Sequence, residues 1–251
     1  MRNDITIDVQ NLSHWFPNGA VGVDKASLSI RKGEFVIMAG PNGSGKTTLL
    51  RHLNGLAMPS EGDVSINGVR VRGNLLYARK MVGMVFQDAE SQIVGETVRE
   101  DVAFGPENLG LDPATVDGQT DWALKKVGLA HKADMSPHLL SGGEKRRLAI
   151  AGVLSMQPEI ILFDEPFSNL DYLGICQVVD QMKSLKKGGH TIVVTSHDMD
   201  PVVELADRLV VMDQGRIVKD GIPALEDREA ISLGIRPIMA SGTARESAWL
   251  L

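Results

Sequence analysis

The sequence predicts an α/β fold of the phosphate-binding-loop class with a helical insertion, and three observations carry that prediction. Residues 35–50, FVIMAGPNGSGKTTLL, join a short apolar run to a glycine-rich turn and then to an apolar helix. This is the GxxxxGK[ST] pattern in its strand–loop–helix setting. Two further apolar runs, IILF at 160–163 and the centre of TIVVTS at 191–196, are uninterrupted, as in parallel strands buried on both faces. From residue 88 to about 155 strand patterns stop, and TVREDVAFG, TDWALKKVGL and EKRRLAIAGVL have helical spacing. That stretch reads as a helical subdomain inserted in the α/β core.

Bulk properties narrow the function classes. A chain of 251 residues holds one large domain, or one domain and a small subdomain, with ample core. At 43% hydrophobic and 23% charged residues, the composition is that of a soluble globular protein. A formal net charge of −6 gives no general attraction for nucleic acid, so no nucleic-acid partner is expected. The single cysteine, Cys176, rules out an internal disulfide framework and suits a reducing compartment; it reads as a small core residue on a helix. The opening MRNDITIDVQ lacks the apolar run of a signal peptide. No segment approaches the roughly 18 apolar residues that span a bilayer, so work at a membrane would need a partner.

Taken in order, Ile5, Ile7 and Val9 alternate with Thr6 and Asp8, as in a half-buried antiparallel strand, and residues 26–31 repeat the pattern. Between them NLSHWFPNGA sets Trp15 and Phe16 against a Pro-Asn-Gly turn. Either ring would stack on an adenine or plug the core beside the turn. In the loop that follows, the glycines let successive N–H groups point into one concavity that attracts phosphate. Lys46 would place a compact charge between β- and γ-phosphates, and the Thr47 hydroxyl would ligate Mg²⁺. The pattern implies binding of a nucleoside triphosphate.

Pro59 and Gly62 break the chain, and DVSINGVRV and KMVGMVFQ follow as strands, the second ending at Gln87. A glutamine there can reach Mg²⁺ or an attacking water; alone it is polar punctuation. In HLLSGGEKRRLAI a Ser-Gly-Gly turn opens a helix whose Leu148, Ile150 and Leu154 face inward. Ser141 can cap that helix while its glycines expose N–H groups to an anion; local physics favours an ordinary cap. Asp164 and Glu165 end the IILF strand. Burying such a pair without partners is costly, so a metal or a reaction must justify it. Residues 175–185 keep a helical period up to KKGG, and TIVVTS runs up to His197, at the sheet edge where Gln87 and Asp164 also fall. RLVVMDQGRIV reads as a closing hairpin turning at Asp213, Gln214 and Gly215. The tail shows one short helix, ALEDREAI, and then polar and small residues whose last members are expected to be disordered.

The ordered set GPNGSGKT, Gln87, LSGGE, IILFDE, SNLD and His197 resembles the nucleotide-binding subunits of ABC transporters over about residues 4–222. LSGG with this loop separates that family from other P-loop ATPases, and no NKxD points to a GTPase. The resemblance implies a RecA-like core with an antiparallel β-subdomain and an inserted helical subdomain. On it, 1–222 form the ATPase domain and 223–251 a short C-terminal extension. It implies ATP and Mg²⁺. By position Phe16 would take the adenine, with Trp15 as the alternative. Asn42, Gly43, Ser44, Gly45, Lys46, Thr47 and Thr48 would cradle the phosphates, and Thr47, Gln87 and Asp164 would surround Mg²⁺. Glu165 would be the general base for the attacking water, and His197 would hold the γ-phosphate. Ser141, Gly142 and Gly143 would contact ATP bound on a facing copy, with Asp171 linking the two sites. Glu144 stands where the family most often has glutamine, at a tolerant position.

A narrower resemblance lies in FQDAESQIVGETVREDVAFGPENLGL and LSGGEKRRLAIAGVLSMQPEIILFDEPFSNLD, which look like the ATPases of energy-coupling factor importers. Those importers take up vitamins or transition-metal ions such as cobalt and nickel. Their segment after Gln87 helps form the groove for arginine-bearing coupling helices, which makes Asp88 and Glu90 candidate acceptors, or else a solvated acidic turn. Ala89 stands where those ATPases usually have proline. IPALEDREAISLGIRPI is similar to their short extension, which would add to the contact between ATPase chains. The implied partners are a second ABC ATPase chain, identical or not, a transmembrane coupling subunit and a membrane substrate-binding subunit. The implied location is peripheral, on the cytoplasmic side of the cell membrane. Three other classes fit less well. An exporter ATPase is disfavoured by residues 87–111. A soluble ABC ATPase acting on DNA or ribosomes lacks its heptad-rich insertion or second P-loop here. A non-hydrolysing scaffold is at odds with intact Lys46, Asp164, Glu165 and His197.

Overall fold

The structure, a computed structural model describing residues 4–224 and 226–237, sorts the two kinds of strand into two sheets. In chain order the strands are β1 (Ile5–Trp15), β2 (Val21–Arg31), β3 (Phe35–Ala39), β4 (Glu61–Ile66), β5 (Val69–Arg70), β6 (Val82–Val85), β7 (Ile160–Asp164), β8 (Thr191–Ser196), β9 (Arg208–Asp213) and β10 (Arg216–Gly221). The helices are α1 (Lys46–Leu53), α2 (Leu75–Met81), α3 (Val98–Asn108), α4 (Pro113–Lys126), α5 (Gly142–Leu154), α6 (Tyr172–Lys187) and α7 (Asp227–Ser232). The alternating strands pair antiparallel in the order β2-β1-β4-β5. The apolar runs form the second sheet, β10-β9-β3-β8-β7-β6, parallel from β9 to β6 and closed by antiparallel β10.

Burial explains the second sheet. Every residue of β3, β7 and β8 is buried, and successive residues feed opposite cores. Phe35, Ile37, Ile161, Phe163, Ile192 and Val194 join a cluster that continues into α3, α4, α5 and α6. Val36, Met38, Ile160, Leu162 and Val193 join a second cluster with α1 and the antiparallel sheet. Each such side chain stabilises the fold by about 1.5–3 kcal/mol. The parallel register then lines up the strand ends: Ala39 lies beside Ser196, and Asp164 beside Thr195.

Residues 88–155 contain only helical elements and connections, as the spacing predicts. Thr97 and Glu100 form a capping box on α3, and Asp112 caps α4 ahead of Pro113. Helix α5, which buries Leu148, Ile150 and Leu154, packs on α3 and α4 and also on β6 and α6. The insertion therefore shares its core with the sheet.

Several boundaries differ from the sequence reading. KMVGMVFQ is not one strand: Lys80 and Met81 finish α2, and β6 stops two residues before Gln87. DVSINGVRV divides at Asn67-Gly68, both at positive φ, into β4 and β5. β1 runs on to Trp15 and β2 begins at Val21, with register shifts along the pair. Cys176 lies on α6 as expected but is only half-buried. The 213–215 turn of the closing hairpin is as expected, with Gln214 and Gly215 at φ 47° and 81°. Beyond β10, Ala230 and Ile235 join the core and Lys219 pairs with Glu229. Leu225 and residues 238–251, including the stretch expected to be disordered, lie outside the described residues. No helix among the described residues is long and apolar enough to cross a membrane.

Candidate active site

The loop after β3 is shaped by its glycines. Gly45 has φ 102°, and a Cβ there would lie 2.3 Å from the Gly22 carbonyl oxygen, so only glycine allows α1 to start at Lys46. Lys46 is buried, and its Nζ donates to the carbonyls of Gly40 (2.8 Å) and Pro41 (3.0 Å). Burial pulls its pKa down, and the charges of Glu165 and Asp164 oppose that shift. Ser44 Oγ is buried without a hydrogen-bond partner among the described residues. A buried orphan hydroxyl and a buried ammonium two residues apart on one loop fit an anionic ligand in the cradle. Asn42 and Gly43 stand exposed at its rim, and Thr47 and Thr48 are half-buried behind it.

The sheet edge brings four more groups together. Thr47 Oγ1 and Thr195 Oγ1 each donate to Asp164 Oδ1 at 2.8 Å. The Glu165 amide donates to Thr195 Oγ1 at 2.9 Å. Glu165 has φ 44°, a backbone conformation costing about 1–3 kcal/mol that its surroundings must enforce. One carboxylate oxygen lies 2.9 Å from His197 Nδ1 and the other 3.9 Å from Lys46 Nζ. Asp164 and Glu165 are buried, whereas the His197 side chain is 59% exposed. Hydroxyl and carboxylate oxygens at Thr47 and Asp164 suit Mg²⁺, which takes few protein ligands and completes its shell with water and phosphate. No group of three or more His, Cys, Asp or Glu side chains among the described residues is arranged to hold a metal ion by itself.

Gln87 is placed differently. Its side chain is exposed and makes no hydrogen bond among the described residues; its carbonyl instead accepts from Arg146 Nη2 at 2.6 Å. The structure therefore unites Lys46, Thr47, Asp164, Glu165 and His197, with Gln87 at the same edge but outside that network.

Both aromatics are exposed, Trp15 at 42% and Phe16 at 40%, which removes the core-plug alternative. They differ in place. A Cβ on Gly22 would lie 2.8 Å from Phe16 Cε2 and 3.1 Å from Thr48 Cγ2, so the Phe16 ring stands over bare backbone beside α1. His14 meets it edge-on at 4.9 Å, and His52 links His14 (3.2 Å) to the Thr48 carbonyl (2.6 Å). The Trp15 amide donates to Ser60 Oγ at 3.1 Å.

Ser141 caps α5 in a capping box: its Oγ accepts from the Glu144 amide, and Glu144 accepts from the Ser141 amide. Lys132 Nζ holds the Glu144 carboxylate at 2.6 Å, and that bond with the Ser141 amide lowers its pKa to about 2. The cap is real, but it leaves the glycines unexplained. A Cβ on Gly142 would meet nothing within 4 Å, and one on Gly143 only Gly174 Cα at 3.9 Å. Nothing within this chain therefore requires glycine at either position, and the surface over the start of α5 is open. Asp171 caps α6 alongside, accepting from Gly174 at 2.8 Å. Among the described residues no hydrogen bond or ion pair joins 141–143 to 40–48.

A groove of about 480 Å³ opens on the insertion, lined by residues including Glu90, Val94, Glu96, His138 and Lys145. Asp101, buried, accepts from the amides of Val94 (2.7 Å) and Gly95 (3.1 Å) and so shapes one wall. Burial raises its pKa, and those amides oppose the shift. Glu90 is taken up by Lys145 at 2.5 Å, so of the two candidate acceptors it is not a free carboxylate. Asp88 is exposed and accepts from the Glu90 amide. Ala89 has φ −66°, the angle proline fixes, so alanine leaves the turn unchanged. Thr195, Arg146, Asp101 and His52 escaped the sequence reading. Of these only Thr195 carried a signal, its place two residues before His197 at the end of a buried strand.

A sequence profile described as ABC transporter matches residues 23–168. The energy-coupling factor transporter ATP-binding protein EcfA1 of Clostridium novyi is 49% identical over 206 residues, 81% of this chain and 73% of that protein. EcfA of Methanocaldococcus jannaschii is 43% identical over 220 residues, 86% of this chain and 79% of its own. Among solved structures, cbiO1 of Clostridium perfringens, described as part of the ABC transporter complex cbiONQ, superposes with a TM-score of 0.80 at 34% identity. It covers 88% of this chain and 89% of its own. The cassette MJ0796, solved as a dimer in a post-hydrolysis state with ADP and Pi, superposes at 0.78 with 27% identity, covering 88% and 100%.

Proposed function

The chain belongs to the ABC transporter family, and from that premise we infer that it is the ATP-binding and hydrolysing subunit energising an energy-coupling factor type importer. The observation that carries the chemistry is the joining of Lys46, Thr47, Asp164, Glu165 and His197 at one sheet edge. Adenine stacks on Phe16, whose ring lies over Gly22 and near Thr48 of α1. Lys46 exchanges its loop carbonyls for β- and γ-phosphate oxygens, helped by the amides of 42–48 and the Ser44 hydroxyl. Mg²⁺, when bound, neutralises charge on the transferring phosphate, with Thr47 and Asp164 as its protein oxygens. Gln87 joins them only by turning inward. Glu165 accepts a proton from the attacking water, while His197 orients its carboxylate and reaches the γ-phosphate.

Ser141, Gly142 and Gly143 act on the ATP of a second ABC ATPase chain, the approach for which their open surface is kept, and Asp171 lies where the two sites meet. Closure on ATP and release after hydrolysis move a transmembrane coupling subunit that works with a membrane substrate-binding subunit. The chain sits peripherally on the cytoplasmic side of the membrane, and the cargo is a vitamin or a transition-metal ion chosen by those partners. Residues 1–222 are the working ATPase domain and 223–251 a short extension, of which Ala230 and Ile235 pack on the core. One experiment tests the reading: Glu165→Gln is purified with MgATP from detergent-solubilised membranes. Turnover is expected to fall at least about 10²-fold while an ATP-bound dimer persists in complex with small, very hydrophobic membrane proteins. Substantial retained hydrolysis, or a soluble nucleoprotein assembly, overturns it.

A further inference from the structure

Arg146 is 3% exposed and forms no ion pair among the described residues. Its guanidinium fork ends on two successive backbone carbonyls, Nη1 on Phe86 (2.5 Å) and Nη2 on Gln87 (2.6 Å). A buried cation held by carbonyls alone is costly, and only the nearby Asp88 charge offsets its desolvation. Such a planar fork fixes the orientation of two peptide groups together, which no single-point donor can do. What it fixes is the peptide leading into Gln87, and hence the direction in which that side chain leaves the backbone. The next residue back, Lys145, grips the same segment at a second point through Glu90. Two anchors suppress rotation of residues 86–90 about either one. Both cations lie on α5, within about 8 Å along the axis of the Ser141 cap.

We propose that Arg146 is a positioning residue that makes the Gln87 segment and the Ser141 end of α5 move as one body. Gln87 belongs to the chain's own nucleotide site, whereas 141–143 serve the site on the facing chain. The clamp therefore links the two: an inward turn of Gln87 on one nucleotide carries α5 toward the other. This rests on the two-chain reading above.

The test uses the full chain with Arg146→Gln and Arg146→Lys, the latter keeping the charge as a point donor. Three readouts are taken: hydrogen exchange of peptides covering 84–92 and 141–146, Mg²⁺ titration of hydrolysis, and the Hill coefficient for ATP. With Arg146 intact, in a Glu165→Gln background that slows turnover, both peptides gain protection together as MgATP is added. Arg146→Gln is expected to speed exchange in 84–92 about tenfold, the loss of one charge-assisted bond. It should also raise the half-saturating Mg²⁺ several-fold and bring the Hill coefficient to 1, while Mg²⁺-free ATP binding stays within about twofold. Arg146→Lys should recover part of each, and it carries the test should the glutamine variant fold poorly. Faster exchange with unchanged Mg²⁺ dependence and cooperativity would mean a merely structural clamp and overturn the proposal, as would unchanged exchange. A wild-type chain that sediments as a monomer with ATP overturns the two-chain reading itself; the Mg²⁺ titration then still decides whether Arg146 sets Gln87.

Discussion

Thr195 lends one hydroxyl to two functional groups, donating to Asp164 at 2.8 Å and accepting from the Glu165 amide at 2.9 Å. The second bond matters because Glu165 sits at φ 44°, where its amide has no sheet partner to fall back on. Thr195→Val keeps the shape and strands that buried amide, which costs about 1–3 kcal/mol. Urea unfolding should show a loss of that size, and kcat should fall at least about tenfold, because the Glu165 backbone is free to relax. Mg²⁺-free ATP affinity should hardly change, and Thr195→Ser should restore both losses. A kcat unchanged in the valine variant would remove Thr195 from this role. The contrast with its neighbours shows what sequence can carry at this scale. Lys46, Thr47, Asp164 and Glu165 were legible because each sits in a contiguous motif whose chemistry depends on order. Thr195, Arg146 and Asp101 were not, since a single Thr, Arg or Asp has no pattern until the fold supplies its partner. For Thr195 and Arg146 that partner is some 30 to 60 residues away.

Helix α5 is both a structural cap and a functional end. The Lys132 ammonium, and after it the capping-box amide of Ser141, hold Glu144 as a carboxylate with a pKa of about 2, below the ordinary 4.5. A depressed carboxylate stabilises the fold above its unfolded value and loses that contribution as pH falls from about 4.5 to about 2. Glu144→Gln keeps a cap acceptor but removes the titration, so its denaturant midpoint should decline less between pH 5 and pH 3 than that of the wild type. Equal declines would mean that the Lys132 pair does not act as the geometry implies. Other elements show why some boundaries could not be read. Helix α2 has seven residues and buries only Ala78, so it has no periodicity to detect. Bulges at Asn11 and Lys25, both at positive φ, break the alternation that would have extended β1 and β2 to Trp15 and Val21. The buried strands β3, β7 and β8 were legible because apolar residues on both faces leave no other reading.

At the scale of the whole molecule, the loop of 40–48 and the glycines at 142 and 143 are two half-sites that this chain does not join. If each is completed by a second copy, defects in the two halves must complement one another. Lys46→Ala disables the loop and leaves the Ser141 end intact; Ser141→Arg does the reverse, filling the space above Gly142 and Gly143 with a long cation. Either variant alone has no complete site in any dimer. In a mixed dimer, the intact loop of the Ser141→Arg chain faces the intact end of the Lys46→Ala chain, and one site of two is whole. Random pairing of equal amounts gives half mixed dimers with one working site each, so the mixture should recover roughly a quarter of wild-type hydrolysis. Activity should rise with total concentration as dimers form, and neither variant should gain from added excess of itself. A site complete within one chain predicts the opposite: Ser141→Arg alone would keep its turnover, and mixing would add nothing.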